Sequence, residues 1–183
     1  MQITGIILAG GKSKRMGADK ALLKINVKTL LERSIELIQP FCDTILISSN
    51  NPKHKIFGHK IIHDEISNCG PMGGIYSCLK KSKTDWNFVL SVDSVFVESD
   101  FIKFLITEID SFSAIVPVHS KGKEPLIALY HKNSLIKFEK MLNLGDFKMY
   151  NLINSVNTKW TDSKKWINKY PQLFHNLNRP EDL

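Results

Sequence analysis

The run Ile3-Thr4-Gly5-Ile6-Ile7-Leu8-Ala9-Gly10-Gly11-Lys12-Ser13-Lys14-Arg15-Met16-Gly17-Ala18-Asp19-Lys20 decides the architecture. Its first part, Ile3 to Leu8, is apolar, short and β-branched, and reads as a buried strand. The residues that follow supply two adjacent glycines, four basic side chains and a third glycine. Adjacent glycines allow positive φ and bring bare backbone N–H groups close to a ligand. Oriented amides reinforced by lysine and arginine form a cradle for phosphate oxygens. A strand running straight into such a loop predicts a nucleotide site at the first crossover of an α/β domain.

Two better-known phosphate loops do not fit. Gly11-Lys12-Ser13 resembles the end of a P-loop, but the glycine required five positions before Gly11 is replaced by Ile6. Gly10, Gly11 and Gly17 also miss the spacing of a dinucleotide fingerprint.

Outward from this loop, strands and helices alternate. Thr29 to Gln39 carries Leu31, Ile35 and Ile38 at helical spacing and is stopped by Pro40. Thr44 to Ile47 and Lys60 to Ile62 are predicted strands, ending at Ser48-Ser49-Asn50-Asn51 and His63-Asp64-Glu65. A helix over Met72 to Lys81 opens at Gly70-Pro71, and a strand from Asn87 to Val92 closes on Asp93. A helix over Phe101 to Ile109 precedes a strand at Ala114 to Val118, which pairs with Leu126 to His131 across Lys121-Gly122-Lys123. Helices near Leu135 to Leu142 and Phe147 to Asn154 then lead to a C-terminal strand around Leu173 to Asn176. This is βαβ organisation in one α/β domain spanning residues 1–183, with a mostly parallel sheet.

In such sheets ligands bind outside the carboxyl ends of the strands. The stretch from Ala9 to Lys20, Ser48 to Asn50, Asp64 and Asp93 all follow apolar strands, so the fold can bring them together. Asp93 carries two readings on residue type alone. It is either an oxygen ligand for a hard cation such as magnesium or a turn aspartate.

The loop also resembles the signature of the molybdenum cofactor guanylyltransferases, a branch of a wider nucleotidyltransferase family. The wider pattern is Leu-Ala-x-Gly, then Arg-Met-Gly, then Lys. Here it is Leu8-Ala9-Gly10-Gly11, Arg15-Met16-Gly17 and Asp19-Lys20-Ala21-Leu22-Leu23. The double glycine is typical of the guanylyl branch, whereas the cytidylyl branch usually has Ala-Ala-Gly. Gly70-Pro71-Met72-Gly73-Gly74-Ile75, Glu124-Pro125-Leu126 and Asn176-Leu177-Asn178-Arg179-Pro180-Glu181-Asp182-Leu183 resemble later family segments in the same order.

The resemblance implies a Rossmann-like three-layer sandwich of the nucleotide-diphospho-sugar transferase type. It implies transfer of GMP from GTP to molybdenum-carrying molybdopterin, with loss of pyrophosphate. The N-terminal half would bind nucleotide through Leu8, Ala9, Gly10, Gly11, Lys20, Ser48, Asp64, Gly74 and Asp93. Asp93 would hold Mg2+ as the cofactor ion, and Lys20 and Arg15 would neutralise phosphate charge. The C-terminal half would receive the acceptor through Asn176, Asn178 and Lys148, with His119 and Lys123 nearby. Transient contact with molybdenum insertion or acceptor proteins would follow. Two positions depart from the family pattern. Asp93-Ser94-Val95-Phe96 lacks the proline of Asp-x-Pro-Phe, and Ser48 stands where guanylyltransferases often carry asparagine.

Composition narrows the alternatives. The net charge of +7 favours an anionic ligand, but it is dispersed lysine with three arginines (Arg15, Arg33 and Arg179), and no nucleic-acid module is present. Cys42, Cys69 and Cys78 have no paired metal spacing and read as reduced thiols. No apolar run has the length of a signal or membrane segment, so a cytoplasmic location without membrane partners is expected. The remaining rivals are a molybdopterin cytidylyltransferase, a sugar-phosphate nucleotidyltransferase and a non-catalytic nucleotide-binding delivery or regulatory protein.

Overall fold

The computed structural model describes residues 1–10 and 19–177; Gly11, Arg15 and Asn178 lie outside the described residues. Strand β1 (Ile3–Leu8) is buried at all six positions, as a strand covered on both faces requires. A short 3₁₀ turn over Lys20–Leu22 leads into the hairpin β2 (Lys24–Ile25) and β3 (Lys28–Thr29), then helix α1 (Leu30–Ile38). Thr29 starts α1 with a capping box: its hydroxyl accepts from Glu32 N at 3.1 Å and the Glu32 carboxylate accepts from Thr29 N at 2.6 Å. There follow β4 (Thr44–Ser48), β5 (Lys60–Ile62), α2 (Gly70–Lys81), β6 (Trp86–Ser91), α3 (Ser99–Thr107) and β7 (Ala114–His119). The chain continues through β8 (Gly122–Lys123), β9 (Ile127–His131), α4 (Leu135–Asn143), α5 (Met149–Ser155), β10 (Thr158–Asp162) and α6 (Lys164–Lys169).

The main sheet has the order β10-β7-β9-β6-β1-β4-β5, with β8 paired to β7. Only β8 and β9 oppose the common direction. Alternate side chains feed two cores. Ile3, Ile7, Ile47, Phe88 and Leu90 pack with Leu31 and Ile35 of α1 and Phe101 and Leu105 of α3. Ile6, Leu8, Leu46, Val89 and Tyr130 pack on the other face with Met72 and Ile75 of α2, Phe138 of α4 and Leu152 of α5. The result is the three-layer α/β sandwich expected from the sequence. Gly5 is dictated by close approach, since a Cβ there would lie 2.6 Å from Ile38 Cδ1 and 3.0 Å from Cys42 Sγ. No helix among the described residues is long and apolar enough to cross a membrane.

The strand ends are flush. Register places Leu8 opposite both Ser48 and Ser91, and Ser48 opposite Ile62. The chain after each of these strands therefore emerges along one edge. Since β4 lies on one side of β1 and β6 on the other, that edge contains the point where connections diverge and a crevice opens.

The C-terminal part differs from expectation. Leu173 to Asn176 forms a turn and irregular chain rather than a strand. It is anchored by side chains, with Leu173 and Leu177 buried, and by Leu177 N donating to Asp93 O at 2.9 Å. The outer strand is instead β10, parallel to β7, followed by α6. Its sequence, Thr-Lys-Trp-Thr-Asp, lacks the apolar signature of a strand because an edge strand covers little core.

Candidate functional site

A cleft of about 560 Å³ opens at the flush strand ends, lined by Ala9, Gly10, Asp19, Ser49, Asn50, Asn51, Asp64, Asn68 and Gly70. Its size suits a small molecule. Strand pairing continues one residue beyond β1 and β4 and then stops: Ala9 N donates to Ser48 O at 3.0 Å, and Ser49 N to Ile62 O at 3.0 Å. Gly10 is thereby left exposed at the mouth.

Ser48 is buried beneath the cleft, and its hydroxyl donates to Asp64 Oδ1 at 3.4 Å. Gly74 on α2 makes room for this pair, because a Cβ there would collide with Ser48 Oγ. Asn50 Oδ1 accepts from Asp64 N at 3.4 Å. Burial pushes the Asp64 carboxyl above the ordinary aspartate value; the Ser48 hydrogen bond and the charge of His63 offset part of the rise.

Toward β6, Lys20 Nζ lies 3.2 Å from Asp93 Oδ2. Asp93 Oδ1 accepts from Ser91 Oγ at 2.5 Å. Val92 N donates to Leu8 O at 3.1 Å, which fixes this loop against the end of β1. Positions 20 and 93, far apart in sequence, thus meet beside the end of β1. Asp93 is a lone carboxylate in this respect: among the described residues no cluster of three or more His, Cys, Asp or Glu could hold a metal unaided.

Beyond Asp93, Ser94 Oγ donates to Asn176 Oδ1 at 3.4 Å, so Asn176 joins the same edge. His119 stacks on Phe174 with centroids 4.9 Å apart, and its Nε2 lies 2.8 Å from Glu124 Oε1. His119 Nδ1 accepts from Lys121 N at 3.3 Å, which leaves Nε2 as the protonated nitrogen that donates to Glu124. Burial raises the Glu124 carboxyl above its ordinary value, with His119 pulling the other way. Lys148 is exposed before α5, where its main-chain N–H donates to Asp146 Oδ1 at 3.1 Å. Among the described residues no hydrogen bond or ion pair ties Lys148 to the Asp93 group.

Sequence reading overlooked Asn51, His54 and Ser91. Asn51 and Ser91 stand at strand ends, the signal that found their neighbours. A lone histidine in a polar lysine-rich stretch gives no such signal.

A largely parallel sheet whose flush ends bring Gly10 to a cleft, with a lysine and an aspartate paired beside the end of β1, is the arrangement of a nucleotidyltransferase-type α/β domain. Residues 5–160 match the model of the MobA-like NTP transferase domain, and the chain belongs to that family. It is 34% identical to the molybdenum cofactor guanylyltransferase of Vibrio campbellii, over 100% of this chain and 93% of that protein. It is 33% identical to a probable molybdenum cofactor guanylyltransferase of Natranaerobius thermophilus, over 99% and 93%. The crystal structure of molybdopterin-guanine dinucleotide biosynthesis protein A from Archaeoglobus fulgidus has the same fold, with a TM-score of 0.82 at 23% identity over 98% of this chain and 94% of that one.

Proposed function

We propose that the protein transfers GMP from GTP to molybdenum-carrying molybdopterin, releasing pyrophosphate and forming the guanine dinucleotide form of the cofactor. The names of its full-length relatives support the substrate pair. The observation that carries the reading is the meeting of Lys20 and Asp93 beside the end of β1, next to the cleft-lining Ala9 and Gly10.

A terminal phosphate oxygen of the acceptor attacks the α-phosphorus of GTP in line. The bond from that phosphorus to the bridging oxygen of pyrophosphate breaks, and pyrophosphate leaves with the electron pair. The acceptor oxygen is already ionised, so the protein positions the groups and neutralises charge. Gly10, exposed at the cleft mouth, lets the backbone approach the phosphates, and Lys20 exchanges Asp93 for phosphate oxygens, joined by Arg15. Asp64, held by Ser48 over Gly74, accepts from guanine N–H groups or the ribose, with Asn50 and Asn51 beside it. Asn176, with Asn178 and Lys148, takes the acceptor.

Asp93 suits magnesium, which takes one or two carboxylates together with substrate phosphates rather than a full protein cage. When bound, the ion would neutralise α- and β-phosphate charge. The three free cysteines favour a reducing, cytoplasmic setting.

Incubation with magnesium, molybdopterin and GTP, CTP or ATP, followed by mass analysis, tests the proposal. The guanine adduct and pyrophosphate are expected from GTP. A cytidine adduct, or GTP left unchanged, would refute it.

A further inference from the structure

The turn that carries Lys20 is held by side chains to which the transfer reaction assigns no bond-making role. Asp19 Oδ1 caps it, accepting from Ala21 N at 3.0 Å. Asp19 Oδ2 accepts from Asn51 Nδ2 and lies 3.1 Å from His54 Nε2. That approach is close enough for ion pairing with a protonated ring, and among the described residues neither ring nitrogen has a hydrogen-bond partner. Asn51 is committed twice, since its Oδ1 also accepts from Lys53 N at 3.0 Å and starts the 3₁₀ turn Pro52–Phe57 that brings in His54. The turns on either side of the cleft mouth are therefore clamped together through one carboxylate.

The His54 ring is wholly buried. Burying polar nitrogens without partners costs stability that an apolar side chain of similar size would spare. Packing alone does not account for a histidine there, whereas a charge-bearing partner at Asp19 does. Lysine has a long flexible stem, and its ammonium is aimed only as well as its backbone is fixed. In this structure the Lys20 side chain is 18% exposed and its ammonium faces Asp93.

We propose that Asp19, clamped by Asn51 and His54, is a positioning residue that fixes the backbone at Lys20 so that its ammonium meets the incoming triphosphate beside Asp93. This inference rests on the assignment of Lys20 to the nucleotide phosphates. Asp19 also lines the cleft, so direct contact with nucleotide is the competing explanation.

Calorimetric titration of the full chain with GTP and magnesium separates them. Asp19→Asn should weaken GTP about tenfold, the scale of one charged hydrogen bond. In a Lys20→Ala background the same substitution should change affinity less than about twofold, because coupled residues are not additive. His54→Leu should weaken GTP in the same direction, and His54→Gln, which can return an N–H toward Asp19, should restore it. Melting temperatures identify variants that fail to fold; if Asp19→Asn is one, the His54 pair decides. Equal loss from Asp19→Asn in both backgrounds, or no difference between the two His54 variants, overturns the inference. Unchanged affinity in Lys20→Ala alone overturns the Lys20 assignment as well, and is thereby distinguished from failure of the clamp.

Discussion

The two halves of the carboxyl-end surface are built by different means. On the β1–β4–β5 side, the polar side chains follow parallel strands whose last residues share one level, and hydrogen bonds such as Ser48 to Asp64 hold them. On the β9–β7 side, His119, Glu124 and Asn176 come from a strand end, the approach to an antiparallel strand and an irregular segment. Aromatic packing holds them: Phe174 stacks on His119 and meets Phe101 edge-on with centroids 5.4 Å apart. The β1–β4–β5 side, where we propose the nucleotide half, is thus set by the backbone ladder, and the β9–β7 side, where we propose the acceptor half, by side-chain packing. Sites on regular elements are held more tightly than sites on irregular chain. Asp93 lies on the seam, tied to Lys20 on one side and through its carbonyl to Leu177 on the other.

Removing the seam should have the largest effect. Asp93→Ala is expected to lower kcat/KM by about 10²–10³-fold, the scale of losing a group that organises transition-state charge. Its melting temperature should stay close to wild type, because the carboxylate supports no core. Wild-type turnover in a pyrophosphate-release assay would contradict its place in the chemistry.

Two glycines then separate packing from ligand contact within the nucleotide half. Gly74→Ala drives a Cβ into Ser48 Oγ, so urea unfolding should show a loss of about 1–3 kcal/mol, and Ser48→Ala in the same chain should recover much of it. A Cβ at Gly10 would meet Ser48 O at an ordinary 3.5 Å. Gly10→Ala should therefore leave stability unchanged and weaken only GTP. Equal destabilisation by the two substitutions would erase the distinction.

Phe174→Ala addresses the softer half. It should cost about 2 kcal/mol, below the loss for a fully buried phenylalanine, and raise the KM for the acceptor several-fold while GTP affinity stays within about twofold. Parallel loss of both affinities would show that the halves are not separately built.

The smallest effect concerns pH. Because burial raises Asp64 above the ordinary aspartate value, it takes up a proton earlier than a free carboxylate as pH falls. GTP binding should therefore weaken on acidification through that raised value, and Asp64→Asn should remove this limb of the profile. Stability moves the opposite way. Between the ordinary and the raised value the folded state binds more protons than the unfolded state, so the Asp64 contribution to stability declines as pH rises through that window. A GTP-binding profile with the same acid limb in Asp64→Asn would assign the proton elsewhere.

The same contrast explains what could be read from sequence. Apolar runs ending in Ser48, Asp64 and Asp93 revealed the parallel strands and their strand-end residues, since both are local patterns. Helix α1 was legible from the spacing of Leu31, Ile35 and Ile38, although Thr29, read as its first residue, is its cap. The acceptor side was harder. Strand β10 is polar because it is an edge, and the segment Leu173 to Asn176 looks extended but is fixed by packing with α3 and β7 that no local pattern encodes. The pairing of His54 with Asp19 joins two turns far apart in the chain without any periodic signal.

A crystal structure of the full chain with GTP and magnesium tests the central claim most directly. The account requires the triphosphate between Gly10 and the Lys20–Asp93 pair, with guanine over Asp64 and Asn50. Guanine seated instead beside His119 and Glu124, or a triphosphate out of reach of Asp93, would contradict it.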